Sequence, residues 1–226
     1  MDKSIGTFIT LQMIGTAPVC NTLNSNLKTN KITLEQRQLQ LKQTLTHLVD
    51  IPESEINGAL NYFKPVSFQK GENLLSEGQI CKNLYFINSG LTKSYLLNEG
   101  KEHIRQFAAE NDFVVDLGSF LSQSKSAFFI QTLETTETLK ISFDDLDKLF
   151  NSSFSFMKLG KVIADRSTIN LIKRSVSLVK DDAKHRYLDF IKERPSLIQR
   201  VPQFMIASYL GITPESLSRI RKEISE

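Results

Sequence analysis

The sequence predicts an α+β protein: an antiparallel β-sandwich or barrel, then a long helix, then a pair of short helices. Three observations support this fold class. Turn signals such as Lys70-Gly71-Glu72 and Asn98-Glu99-Gly100 separate short apolar runs across residues 66–141. Beyond Asp144 the apolar residues change to a helical spacing, and Gly211 divides the last helical stretch in two.

Size and composition are those of an ordinary globular chain. Its 226 residues suffice for one large or two modest domains, and 40% are hydrophobic. The net charge of +3 does not by itself indicate a nucleic-acid partner. Residues 158–180 are more basic, with Asp165 opposing six cations, which fits either a nearby polyanion or a solvated helix face. The cations are Lys158, Lys161, Arg166, Lys173, Arg174 and Lys180.

Several functional classes find no support in the sequence. Two cysteines, Cys20 and Cys81, are too few for a disulfide framework or a four-cysteine iron–sulfur cluster, and they fit a reducing cytoplasm. The three histidines lack metal-site spacing: His47, His103 and His185. We find no nucleophile–base set, phosphate loop or membrane-length apolar run. No enzyme activity, metal or cofactor is therefore predicted, and residues 1–32 are interpreted as a disordered extension.

Helices are predicted on both sides of the strands. One covers residues 34–49, and a second begins at Pro52 and ends before Pro65. Phenylalanines are expected to fill the core of the strand region: Phe86, Phe107, Phe113, Phe128 and Phe129. The long helix should break at residues 177–182, where Asp181 or Asp182 caps a helix over Ala183–Arg194 that ends at Pro195.

The long helix carries an apolar stripe that needs a partner. A flanking helix of this length would expose the stripe beside a small sandwich, and a second copy of the chain is the simplest way to cover it. The stripe comprises Phe156, Leu159, Val162, Ile163, Ile169, Ile172, Val176 and Val179.

The last two dozen residues predict a helix, a tight turn and a second helix. The first helix spans Gln203–Leu210, preceded by Pro202; Gly211 ends it in a left-handed conformation, and Thr213 caps the second helix, with Pro214 in its first turn. One side of the second helix is apolar (Leu217, Ile220, Ile224) and is expected to dock on the rest of the chain, while the opposite side is polar (Glu215, Ser218, Arg219, Lys222). This pattern is typical of the DNA-binding helix-turn-helix. The alternative is a plain helical hairpin with a solvated polar face.

The chain also resembles a known family. Glu215-Ser216-Leu217-Ser218-Arg219 is similar to the Glu-x-x-Ser-Arg motif of the Crp/Fnr family of bacterial transcription regulators, and the run from Pro202 to Lys222 resembles members common in Bacteroidetes. The resemblance covers residues 33–225. It implies a cyclic-nucleotide-binding-like jelly roll (double-stranded β-roll), a long dimerisation helix and a C-terminal helix-turn-helix domain. No wing is evident after the second helix.

The resemblance also suggests domain bounds and partners. The bounds are an N-terminal extension (1–32), the β-roll with its preceding helices (33–150), the dimerisation helix and hinge (151–180) and the helix-turn-helix domain (181–226). The expected partners are a second copy of the chain, double-stranded DNA with a two-fold symmetric site, and RNA polymerase. The rival function is a ligand-sensing or scaffold module that does not bind DNA.

The second helix supplies the candidate DNA contacts. The fork of Arg219 matches the O6 and N7 acceptors of guanine, Glu215 can accept from a cytosine amine and orient Arg219, and Ser218 can reach an adjacent base edge. Contacts to phosphates, which position without specifying, are expected from Thr213, Ser216, Arg221, Lys222, Gln203 and Ser208.

The candidate effector pocket departs from that of cyclic-AMP-binding relatives. In those relatives a Gly-Glu pair lies against the ribose and an Arg-Ser-Ala run holds the phosphate. The similar residues here are Val115-Asp116-Leu117 and Lys125-Ser126-Ala127. Val115 adds bulk, Asp116 is shorter than glutamate, and Lys125 lacks the bidentate grip of arginine. These differences argue against cyclic AMP and leave another effector, or none, open.

Overall fold

The computed structural model describes residues 32–225, and residues 1–31, which hold most of the predicted extension, lie outside that range. The helices are α1 Leu34–Leu48, α2 Glu53–Leu60, α3 Leu117–Ser122, α4 Phe143–Ser152, α5 Phe154–Lys180, α6 Ala183–Glu193, α7 Gln203–Leu210 and α8 Pro214–Ser225, with a 3-10 turn at Pro195–Leu197. The strands are β1 Lys64–Phe68, β2 Asn73–Leu75, β3 Asn83–Ser89, β4 Thr92–Asn98, β5 Lys101–Ala108, β6 Phe113–Val114, β7 Phe129–Thr132 and β8 Thr136–Ser142.

The strands form two four-stranded antiparallel sheets, in the orders β1-β8-β3-β6 and β2-β7-β4-β5. The predicted turns join them. Between β4 and β5, for example, Glu99 and Gly100 both take positive φ, the backbone twist that a two-residue hairpin turn needs. The predicted α+β fold with an antiparallel β-roll is confirmed.

Helices α1 and α2 cover the first sheet. The Thr33 hydroxyl caps α1 by accepting from the Gln36 N–H, and the Gln36 side chain accepts from the Thr33 N–H. Leu41 and Leu45 are fully buried in a core shared with β3, β8 and α5. Arg37 is buried beside them. It pairs with Glu137 of β8 and donates to the Thr138 carbonyl at 3.1 Å, so its charge is compensated. Its Nε also donates to the Ile32 carbonyl at 3.4 Å, which places Ile32 with the fold rather than with the predicted extension.

The apolar stripe of α5 divides into two parts. Phe156 and Leu159 are buried against the same chain, and Gly160 lets the Phe150 ring of α4 approach closely: a Cβ at Gly160 would lie 2.7 Å from that ring. The later part is open. Its exposed side chains are Ile169, Ile172, Val176 and Val179. Leu171 and Leu178 are also exposed but lie on another side of the helix. Only this part, together with Phe154 and Met157 at the start of the helix, is available to a second copy of the chain.

The C-terminal helices pack on the outer face of the second sheet, which the sequence did not predict. Leu91, Tyr95, Ile104 and Phe107 of the roll share one core with Tyr187, Phe190, Val201, Ile206 and Leu210. The predicted break before α6 is confirmed, since Asp182 caps α6 by accepting from the His185 N–H at 2.8 Å. Helix α6 ends at Glu193, one residue earlier than predicted.

No helix within residues 32–225 is long and apolar enough to cross a bilayer. Over the same range, no group of three or more His, Cys, Asp or Glu side chains is arranged to hold a metal ion.

Candidate nucleic-acid interface

The turn between α7 and α8 is fixed by local hydrogen bonds. Gly211 has φ +69°, its N–H donates to Ser208 O at 3.1 Å, and the N–H of Ile212 donates to Ala207 O at 3.0 Å. This is a Schellman arrangement, and it brings Ile212 back onto the core. Pro202 stands one position before the first turn of α7.

Helix α8 begins where the sequence predicts. Thr213 Oγ1 accepts from the Ser216 N–H at 3.2 Å and Pro214 is the first helical residue. Leu217 is buried and Ile220 half-buried, but Ile224 is 38% exposed. The expectation that Ile224 docks is therefore wrong. The last turn of α8 is instead joined to α6 by an ion pair between Glu223 and Lys184, and Ile224 beside it stays at the surface.

The polar side chains of α8 lie on the surface. Glu215, Ser218, Arg219, Arg221 and Lys222 are all exposed, and Ser216 is half-buried. The backbone N–H at Glu215 and a hydrogen bond from Thr213 hold the pKa of the Glu215 carboxyl below its usual range, and the charge of Arg219 lowers that pKa further. Glu215 is thus an ionised acceptor, electrostatically coupled to Arg219 one turn along the helix.

A cleft of about 320 Å³ lies at the base of this polar face. Its lining residues are Gln203, Pro214, Leu217, Ser218, Arg221 and Lys222. Four of the predicted DNA contacts therefore meet there. The side-chain oxygen of Gln203 is buried and accepts no hydrogen bond from the described residues.

Ser208 does not join this group. Its hydroxyl accepts from the Ile104 N–H and donates to Glu102 O, both at 3.0 Å, so it pairs with the backbone of β5. The phosphate contact predicted for Ser208 is not available in this arrangement. The reason is tertiary: α7 turns this face toward the roll.

Three arginines join the C-terminal helices to the rest of the chain, and sequence reasoning missed all of them. Arg200 pairs with Glu110 and Glu134, Arg194 pairs with Asp112 at 2.7 Å, and Arg174 of α5 contacts Tyr209. Arg174 belongs to the basic segment noted in the sequence, yet it faces inward. No periodicity marks such residues, because their partners are far away along the chain.

The carboxylate of the candidate effector pocket is bonded to other residues of the same chain. Asp116 is buried; it accepts from the Ser126 hydroxyl at 2.6 Å, and its other oxygen lies 3.7 Å from Arg105. Arg105 stacks on the ring of Phe128, 4.6 Å from its centroid. Both carboxylate oxygens therefore have partners that a ribose hydroxyl would have to displace.

The flanking residues do not fit a cyclic nucleotide either. Val115 is half-buried, Leu117 is half-buried, and Lys125 and Ala127 are exposed. An exposed lysine offers no two-pronged grip on a cyclic phosphate. The predicted pocket residues are thus not arranged to hold a cyclic nucleotide.

Comparison with known proteins identifies the family. Residues 65–153 match the cyclic nucleotide-binding domain. The fumarate and nitrate reduction regulatory protein of Salmonella typhi is 31% identical over 187 residues, which covers 74% of this chain and 70% of the relative. The chain belongs to the Crp/Fnr family of transcription regulators. The corresponding protein of Yersinia pestis is 29% identical over 178 residues, with the same coverage.

Solved structures support the fold of this Crp/Fnr regulator. FixK2 from Bradyrhizobium japonicum superposes with a TM-score of 0.63 at 20% identity, over 72% of this chain and 84% of its own. The regulator CLP of Xanthomonas campestris gives 0.60 at 19% identity, over 77% and 92%. Members of the family are DNA-binding transcription regulators that act as dimers and are not enzymes, and this chain is one of them.

Proposed function

We propose that α8 is the recognition helix of this regulator and enters the major groove of DNA. One observation carries the proposal: Leu217 is buried while Glu215, Ser218 and Arg219 are exposed together on the opposite face. A helix held by one side and polar on the other can insert without disturbing its own domain.

The base contacts follow from side-chain chemistry. Arg219 donates two hydrogen bonds to a guanine, and Glu215 accepts from a cytosine amine while orienting Arg219, to which it is coupled in charge. Ser218 contacts a neighbouring base edge. These three residues specify sequence.

The cleft at the base of α8 is the proposed phosphate site. Arg221 and Lys222 supply positive charge there and Gln203 supplies an amide. Thr213 and Ser216 lie at the N-terminus of α8, where backbone N–H groups favour an anion. These five residues position the helix on the backbone without reading the sequence.

The dimer is proposed to form through the exposed part of α5. Two copies paired along this helix would place two α8 helices in successive major grooves, about 34 Å apart, on a two-fold symmetric site. The proposed domains are residues 33–150, 151–180 and 181–226. RNA polymerase is the expected further partner, and the cytoplasm, where bacterial DNA lies, is the proposed location.

Cyclic AMP is not the proposed effector. Asp116 is bonded within the protein, and Val115 and Lys125 do not present the contacts that a cyclic nucleotide requires. Control by another small molecule in the roll, or a purely structural roll, is compatible with these contacts.

Selection of bound sequences from a random duplex pool tests the proposal. The full chain should enrich a two-fold symmetric site, and affinity for that site should fall steeply with salt because phosphate contacts release counterions. The rival module, which does not touch DNA, predicts no enrichment and no salt-dependent duplex binding.

A further inference from the structure

We propose that Arg200 is a positioning residue that sets the spacing between the two recognition helices of the dimer. Held by Glu110 and Glu134, it fixes the orientation of the C-terminal helices on the β-roll. The inference rests on the proposed role of α8. It assigns to a residue remote from DNA a part in choosing which operators are bound.

Arg200 donates two hydrogen bonds to each of two carboxylates, those of Glu134 and Glu110. Its Nε and Nη2 donate to the two carboxylate oxygens of Glu134 at 3.1 and 2.7 Å. Its Nη1 and Nη2 donate to the two oxygens of Glu110 at 2.8 and 3.0 Å. Because the guanidinium is planar and its donors are fixed, four such bonds define both its position and the plane in which it lies.

The two acids are themselves held in place. Glu110 Oε1 also accepts from the Gly90 N–H at 2.8 Å, and the Leu133 N–H, next to Glu134, donates to Leu91 O at 2.7 Å. The loops β3–β4, β5–β6 and β7–β8 therefore meet at one end of the roll and form a rigid socket. Burial raises the pKa of the Glu110 carboxyl, but the bonds from Arg200 and from backbone N–H groups outweigh burial and hold it below its usual range.

Arg200 is close to α7 along the chain. Its N–H donates to Leu197 O at 3.1 Å, Val201 beside it is buried, and α7 begins at Gln203. From α7 the hydrogen-bonded turn at Gly211 leads directly into α8. A fixed guanidinium at Arg200 therefore constrains the direction of the recognition helix through a short, rigid path.

Apart from the two hydrogen bonds of Ser208 to β5, the contact between α7 and the roll is apolar, and it cannot supply this constraint alone. Hydrophobic burial is non-directional, so the helices could rotate on the sheet with little loss of buried area. Directional hydrogen bonds between charged groups resist such rotation. The pair Arg194–Asp112 gives a second fixed point on the same loop, β5–β6.

The test uses the full chain and symmetric duplexes that carry the selected half-site with the central spacer varied one base pair at a time. The wild-type protein should bind one spacing best. In Arg200→Gln, affinity at that spacing should fall about tenfold, the strength of one good directional contact, and the preference among spacings should flatten. Base preference within the half-site should not change, because α8 is intact.

Three further variants control the experiment. Lys192→Gln removes a positive charge from an exposed position in α6 and should leave the spacing profile as in wild type. Arg200→Lys keeps the charge but not the fork, so it should resemble Arg200→Gln. Glu134→Gln weakens the contact of Arg200 with Glu134 and keeps its contact with Glu110. This variant replaces Arg200→Gln in the spacing experiment if Arg200→Gln does not fold.

An unchanged spacing profile in Arg200→Gln, or an equal loss at every spacing, would overturn the inference while leaving the proposed function standing. Failure of the wild-type protein to prefer any half-site sequence would instead overturn the proposed function, and this inference with it.

Discussion

Arg174 and Tyr209 join the long helix to the helix-turn-helix. The Arg174 guanidinium lies 4.0 Å from the centroid of the Tyr209 ring and donates to the Tyr209 carbonyl at 2.8 Å. The same nitrogen lies 3.3 Å from Ile104 O of β5. One side chain of α5 thus contacts both α7 and the β-roll, so the proposed dimer helix and the proposed reading helices are connected by more than the hinge at Asp181–Asp182.

Arg174→Ala is expected to destabilise the protein by about 1–3 kcal/mol, since it removes a charged hydrogen bond and a cation–π contact. Urea unfolding would measure the change. Lys173→Ala, at the neighbouring exposed position, is the control and should stay within about 0.5 kcal/mol of wild type. Equal stabilities for the two variants would contradict the role assigned to Arg174.

Gly90→Ala is expected to cost about 2–4 kcal/mol. Gly90 has φ +104°, and an added Cβ would lie 2.5 Å from Thr136 Oγ1 and 2.7 Å from Thr135 O. Gly58→Ala is the matched control: Gly58 lies in α2 with nothing within 4 Å of its added Cβ, so the change should stabilise by about 0.5–1 kcal/mol. Thermal unfolding of both variants tests the contrast, and a Gly90→Ala protein as stable as wild type would refute it.

Ile172→Asp should convert the dimer to monomers and abolish tight binding to a two-fold site. Ile172 is 57% exposed in the single chain, so the change need not harm the fold, but pairing would bury an uncompensated charge. Sedimentation equilibrium measures the dimer. Leu188→Asp, on α6 at 40% exposure, should remain dimeric. If both variants stay dimeric at micromolar concentration, α5 is not the interface.

Arg219→Ala and Lys222→Ala should weaken DNA binding in different ways. Loss of Arg219 should cost about 1–3 kcal/mol and relax specificity at one base pair. Loss of Lys222 should weaken binding to all sequences alike and reduce the salt slope by about one unit. Titrations against single-base variants at several salt concentrations separate the two. An equal loss on every sequence for Arg219→Ala would remove its base-reading role.

Cyclic AMP should leave the melting temperature unchanged. A ligand that binds only the folded state stabilises it by RT ln(1 + [L]/Kd) and so raises the melting temperature. No such rise is expected here, because the carboxylate of Asp116 is already bonded to Ser126. A cyclic-AMP-binding relative assayed in parallel provides the positive control. If the melting temperature of this chain rose with the concentration of cyclic AMP, the hydrogen bonds within the pocket would have to open to admit the ligand.

The sequence by itself determined the elements whose hydrogen bonds are local. Gly211 and Thr213 were identified from residue type, and the cap of α6 was narrowed to Asp181 or Asp182, because each such residue satisfies backbone groups within five residues of itself. The β-turns and, apart from Ile224, the buried and open faces of α8 follow for the same reason: glycine geometry and helical period are properties of short segments.

Only the tertiary structure decided how the C-terminal helices sit on the roll. Arg200 meets Glu134 from 66 residues away, and Ser208 meets Glu102 from 106 residues away. Such pairs leave no periodic trace, because an arginine or serine that points inward has the same spacing as one that faces water. The exposed polar residues of α8 could thus be predicted from local pattern, whereas the contacts that orient this helix depend on strands brought together by folding.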